Sequence, residues 1–312
     1  MIHVNKYILT VLFITIMSLS IFSKETLDYQ EYKRSGGNSF VKLSDGMTNY
    51  TLSGNPHANH TVVLIHGGTI PLYIWDPQMD ALLNSGHRIL RYDQYGRGFS
   101  ERPDTTYSRE LFCRQLTELL DSLKITAPVD IIGPSFGGAI AVTFAHKYPQ
   151  RVRSIMLISP ALNVIGSESM LSGPLKLMRV PVIGTLAYKM IIKKKLVNRA
   201  ISLIPGGKDS PCSTAFLNQF RCKGTDRALL SMFRSDAFGD YHVETKSTGI
   251  SVKKLMLLRG ESDKEITASM VDTTKNELQG CQFVELKNSG HSPGTSDADR
   301  LNKIIIDFLA NN

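Results

Sequence analysis

The chain has 312 residues, 42% of them hydrophobic and 21% charged, which is enough to bury a large single core and too apolar for extensive disorder. Lysine and arginine outnumber the acids 36 to 28, and the surplus is local, because residues 169–208 hold eight basic side chains and no acid. Neither zinc-ligand spacing nor an RNA-binding signature accompanies that stretch, so nucleic acid is not an expected partner and one catalytic domain is the default.

The first element is an apolar run. After Lys6 the chain is uncharged from Tyr7 to Ser23, through Ile8, Leu9, Val11, Leu12, Phe13 and Ile14. Residues 1–23 therefore read as a signal peptide or N-terminal anchor, and the protein as exported, secreted or periplasmic, or held at a membrane. The run is long for a cleaved signal and short for a spanning helix, and Ser18, Ser20 and Ser23 offer mediocre cleavage sites. Residues up to about 40 are polar, with Gly36-Gly37, and read as an extension. An exported chain could oxidise its four cysteines. Of these only Cys212 with Cys222 looks bridgeable, while Cys113 in a helical pattern and Cys281 at a strand start read as buried thiols.

Strand-like runs at 40–43 and 47–53 flank Asp45-Gly46, a pair suited to a hairpin turn. Next come a strand at 61–66, a helix from Tyr73 to Ser85, a strand at 88–93, a helix over 108–123 and a strand at 129–132. A helix at 136–148 and a strand at 154–158 follow. After Pro160 the rhythm is lost, and it returns with a strand at 254–258, a helix at 267–278, a strand at 282–286 and a last helix at 297–310. Such alternation indicates a parallel sheet covered on both faces. The interruption divides the chain into a core of residues 24–160 and 248–312 and a cap insertion of residues 161–247.

Gly133-Pro-Ser135-Phe-Gly137-Gly138 stands where a strand ends and a helix begins, the context that gives the G-x-S-x-G pattern its meaning. The bland alternative, a glycine-rich turn with an idle serine, leaves the remaining elements unexplained. A serine hydroxyl needs a neighbouring base at neutral pH, and of the eight histidines His291 lies in the loop between the last strand and last helix. His66 competes, but it closes a strand ahead of Gly67-Gly68 and reads as holding that turn. Asp263, after the strand at 254–258, is the expected partner for the His291 Nδ1 proton. Glu261 and Glu265 are rivals expected to face solvent. The backbone amides of Gly68 and Phe136 are candidate donors to a developing oxyanion. The scheme needs neither metal nor organic cofactor.

These motifs, together with Arg91-Tyr-Asp93-Gln-Tyr-Gly96-Arg-Gly98-Phe-Ser100 and Ser-Pro-Ala161, resemble the α/β-hydrolase family in its lipase and esterase branch, near the monoacylglycerol lipases, from about residue 40 onward. The resemblance implies the α/β-hydrolase fold: a mostly parallel eight-stranded sheet with helices on both faces and a helical cap inserted after strand six. Pro134 departs from the residue that many relatives carry before the nucleophile. The absence of an aspartate at the nucleophile position argues against the haloalkane-dehalogenase and epoxide-hydrolase branches and favours ester chemistry.

The cap segment from Leu175 to Val197 combines apolar residues with a lysine cluster. It could meet an anionic membrane surface, or it could pack its apolar side on the core and solvate its lysines. Either way an apolar ester is the expected small-molecule substrate. The alternatives are a carbon-carbon bond hydrolase of the same fold and a homologue that binds a ligand without catalysis.

Overall fold

In a computed structural model the structure describes residues 25–204 and 206–310. The apolar run at 7–23 lies outside the described residues, and no described helix is long and apolar enough to cross a membrane.

Eight strands form one sheet: β1 (Ser39–Lys42), β2 (Met47–Gly54), β3 (Thr61–Ile65), β4 (Arg88–Tyr92), β5 (Val129–Pro134), β6 (Val152–Ile158), β7 (Lys254–Gly260) and β8 (Gln282–Leu286), in the order β1-β2-β4-β3-β5-β6-β7-β8. β2 runs antiparallel to β1 and β4, and every other pairing is parallel. The core helices are α1 (Tyr29–Arg34), α2 (Asp76–Asn84), α3 (Arg109–Ser122) and α4 (Phe136–Lys147). Between β6 and β7 stand α5 (Ser172–Met178), α6 (Pro181–Ala187), a π-helical turn (Tyr188–Ile192), α7 (Lys193–Leu203), α8 (Pro211–Asn218), α9 (Thr225–Arg234) and α10 (His242–Ser251). The chain closes with α11 (Ala268–Leu278), the short α12 (Pro293–Ser296) and α13 (Ala298–Ala310).

The strands read as continuous apolar runs because alternate side chains enter two separate cores. Val63 and Ile65 of β3, Ile131 of β5 and Leu157 of β6 join one cluster with α3 and α4. Val62, Leu64, Ile132 and Met156 join the other, beneath α2 and α13. Leu64 is fully buried, and shortening such a side chain to alanine costs about 2–5 kcal/mol. The helix α10 lies against α4 and α11, and so sits on the sheet layers rather than over the strand ends.

Two expectations need correction. The polar stretch before residue 40 docks: Asp28 caps α1 through the Glu31 amide at 2.9 Å, and buried Tyr32 stacks on Phe99 with ring centroids 5.0 Å apart. Backbone hydrogen bonds from Thr26 and Leu27 to Arg221 O, at 2.8 and 3.0 Å, help that aromatic pair hold a segment whose average composition is polar. The four cysteines are free thiols. Cys212 begins α8 and Cys222 lies beyond its far end, beside Leu27. At about 1.5 Å per helical residue that separation exceeds the ~7 Å Cα limit for a bridge.

Candidate active site

Ser135 occupies the bend between β5 and α4 with φ 50° and ψ −120°, a conformation that L-residues rarely adopt and that costs about 1–3 kcal/mol. Its surroundings require glycine. A Cβ on Gly133 would stand 2.5 Å from the backbone of Gly137, and one on Gly137 would stand 2.5 Å from the carbonyl oxygen of Ile65. The strand and helix thus approach closely enough to push the serine out at the carboxyl edge of the sheet. The Ser135 amide donates to Ile158 O, and its carbonyl accepts from Gly138 and Ala161.

Asp263 follows β7 and His291 follows β8, neighbouring strands whose loops must touch. They do so through Gly260, where a Cβ would meet the Gly290 carbonyl oxygen at 2.1 Å. Asp263 Oδ2 accepts from His291 Nδ1 at 2.9 Å, while Oδ1 accepts from the Glu265 and Ile266 amides at 2.8 and 3.0 Å. Burial alone would raise this carboxyl, but the hydrogen bond and charge of His291, helped by the Ile266 amide, outweigh it and hold it below the usual carboxylate range. Arg259 braces the same loop by donating to Ile266 O at 3.0 Å and Asp263 O at 3.2 Å. Glu261 is exposed and accepts from the Asn288 amide at 3.0 Å, tying the two loops together.

Glu265 differs from expectation. It is buried, with Oε2 3.5 Å from His291 Nε2 and Oε1 paired with Arg199 of α7. Its position has a local cause: the tight turn capped by Asp263 Oδ1 swings the next carboxylate inward, toward a cap cation that sequence spacing could not reveal. Among the described residues no hydrogen bond links the Ser135 hydroxyl to His291. In substrate-free hydrolases that contact is commonly long and tightens on binding.

Gly67 and Gly68 follow β3 beside the serine turn. The Gly68 carbonyl accepts from Arg97 Nε at 3.0 Å, and the Gly67 carbonyl from His66 Nδ1 at 2.7 Å. His66 Nε2 accepts from the Gln94 amide at 3.0 Å, so the imidazole is neutral with its proton on Nδ1. Burial pushes it down to about 3, with only partial opposition from the Gly67 hydrogen bond. His66 thus shapes the loop. With the carbonyls occupied from behind, the amides of Gly68 and Phe136 remain; neither donates to another group among the described residues. Arg97 and Gln94 lie in the glycine-rich stretch at 91–100, where nothing in the sequence marks their bracing of this loop. Asp93, three residues before Gly96, accepts from the Leu72 and Phe99 amides, both at 2.9 Å, and so fixes that stretch.

Ser135, His291 and Gly68 line one partly open cleft with a cavity volume of about 80 Å³. Its apolar walls come from Ile70, Ile74, Trp75, Ile158, Leu203 and Leu301, and Arg199 reaches in from α7. No group of three or more His, Cys, Asp or Glu that could hold a metal occurs among the described residues.

A strained serine on a strand-to-helix bend, beneath helices inserted between the sixth and seventh strands of a mostly parallel eight-stranded sheet, defines the α/β-hydrolase class. A family model described as the alpha/beta hydrolase fold matches residues 60–199. The chain is 36% identical over 108 residues to the 2-hydroxymuconate semialdehyde hydrolase of Pseudomonas sp. (strain CF600), covering 33% of this chain and 38% of that protein. To epoxide hydrolase 3 of Xenopus tropicalis it is 23% identical over 292 residues, 88% of this chain and 78% of that one. Among solved structures, the enol-lactonase from Burkholderia xenovorans LB400 matches with a TM-score of 0.69 and 24% identity over 88% of this chain and 100% of the other. The chain has the α/β-hydrolase fold, with the family model matching residues 60–199, and its match to the first of these relatives spans under two fifths of that relative's length.

Proposed function

We propose that the protein is a serine hydrolase of carboxylic esters that works through an acyl-enzyme, with Ser135 as nucleophile, His291 as general base and Asp263 as the residue orienting it. The observation that carries this reading is the 2.9 Å contact between Asp263 and His291 Nδ1 in a cleft that Ser135 also lines; Nε2, 3.5 Å from Glu265 Oε2, is the nitrogen left to take the serine's proton. Deprotonation of Ser135 by His291 lets the alkoxide attack the ester carbonyl. The developing oxyanion is met by the Gly68 and Phe136 amides, whose peptide planes are set in advance by His66, through the Gly67 carbonyl, and by the start of α4. The imidazolium then protonates the leaving alkoxide, and water repeats the cycle on the acyl-enzyme.

The apolar walls favour an ester with a hydrocarbon acyl chain, as in monoacylglycerols or lysophospholipids, over a polar one. A second reading, hydrolysis of a carbon-carbon bond in a diketone, draws on the similarity to the 2-hydroxymuconate semialdehyde hydrolase. A nitrophenyl ester series of rising acyl length, run beside a vinylogous diketone acid, separates the two. Ester turnover that rises with chain length and shows a nitrophenol burst is expected. Diketone cleavage outpacing every ester overturns the assignment.

A further inference from the structure

The cap leaves a large apolar face uncovered. Val182 is 80% exposed, and Ile183, Leu186, Met190 and Ile191 are also exposed. Val182, Leu186 and Met190 recur every fourth residue, so they align along one side of α6 and the π turn that continues it. Lys176, Lys189, Lys194 and Lys195 are exposed around this stripe, and none of the four takes part in an ion pair among the described residues. The nearby acids are already engaged: Asp226 pairs with buried Lys193, and Glu25 accepts from the Gly224 and Asp226 amides at 3.1 and 2.8 Å. An exposed apolar patch of this extent on a soluble face marks a contact surface.

We propose that this face is a membrane-docking surface, with Val182, Ile183, Leu186 and Met190 entering the boundary between headgroups and acyl chains and the lysines meeting anionic lipid headgroups. Two independent features select a bilayer as occupant. The charge is predominantly positive, four exposed lysines against Glu25, which suits an anionic surface and opposes a second copy, since pairing two such faces would bring their lysines together. The other feature is chain direction. Glu25 is hydrogen-bonded to the start of α9 and shares a surface concavity with Thr185 and Lys189. Only Lys24 separates it from the apolar run at 7–23. The run therefore joins the fold at the docking face, so one bilayer can receive both. The helix α7, which continues the same segment, supplies Arg199 and Leu203 to the cleft, and docking would present that cleft to lipid-borne substrate.

The test is Ile183→Trp in the full chain, mixed with vesicles whose phospholipids carry brominated acyl chains. The chain has one native tryptophan, Trp75, which is buried, so the added emission reports the cap. Emission should fall by about half or more on brominated phosphatidylglycerol vesicles and much less on zwitterionic phosphatidylcholine, and K189E/K194E/K195E should remove most of the quenching. Ile250→Trp, at a still more exposed position on α10, should stay unquenched. Three results would each overturn the proposal. The protein could float with vesicles while Ile183→Trp stays unquenched, so that residues 7–23 alone hold the membrane. Emission could be blue-shifted without lipid and insensitive to bromine, so that residues 7–23 or a second copy cover the face. Both tryptophan variants could be quenched alike, so that adsorption is unspecific. The readout is fluorescence rather than turnover, so it fails or succeeds separately from the esterase reading.

Discussion

Asp263→Asn removes one charge while keeping the shape of the loop, because the asparagine oxygen can still accept from the Glu265 and Ile266 amides. What changes is the face toward His291. An amide nitrogen now opposes Nδ1, so the imidazole favours the tautomer with its proton on Nε2, which cannot take one from Ser135. The carboxylate lies 2.9 Å from Nδ1, and its side chain is fully buried. At an effective dielectric of about 20, Coulomb's law assigns about 6 kcal/mol to that pair once the imidazolium forms. That is about ten-thousandfold in rate. The assay is kcat/KM for a nitrophenyl ester, with urea unfolding to confirm that the variant folds. Glu265→Gln, which alters the more distant 3.5 Å contact, is expected to lose less than about tenfold, because its charge is already shared with Arg199. A folded Asp263→Asn enzyme within tenfold of the parent refutes the assignment, and a larger loss in Glu265→Gln transfers the role to that residue.

Ser135→Gly should abolish turnover and raise unfolding free energy by about 1 kcal/mol, because glycine tolerates a φ of 50° that strains serine; denaturant midpoints measure it, and a less stable variant argues against stored strain. Gly260→Ala places a methyl group 2.1 Å from Gly290 O and should cost about 2 kcal/mol while separating the acid loop from the histidine loop, so unchanged stability in urea melts contradicts the close approach. His66 supplies a pH dependence. Its folded value, about 3, lies below the ordinary histidine value of 6.5, so between them the unfolded chain binds the extra proton and stability falls as pH falls. From pH 7 to pH 5 this group alone removes about 2 kcal/mol. NMR titration checks it directly, and a His66 imidazole that protonates above pH 5 while the protein stays folded refutes it.

The sheet was legible in the sequence because strands buried on both faces must be apolar throughout, while their helices keep a 3.6-residue period. Every strand from 61 onward was expected within two residues of where it lies at its start and end. The serine turn was legible for a related reason: Gly133 and Gly137 sit where backbone meets backbone, which leaves a fixed spacing around Ser135. Glu265 was not. Whether a carboxylate two residues past a capping aspartate points inward depends on a tertiary partner, Arg199, 66 positions away in sequence. The docking of α1 was hidden likewise, since Tyr32 finds its partner at Phe99. Composition also did not show which side of the cap stays uncovered, because an amphipathic helix can turn either face outward until its neighbours are placed.

The most direct test of the central claim is labelling of the intact protein with a fluorophosphonate, followed by peptide mass mapping. A single adduct is expected on the peptide that contains Ser135, absent from Ser135→Ala and formed far more slowly in His291→Ala. An adduct on another serine, or ester hydrolysis that persists in Ser135→Ala, would contradict it.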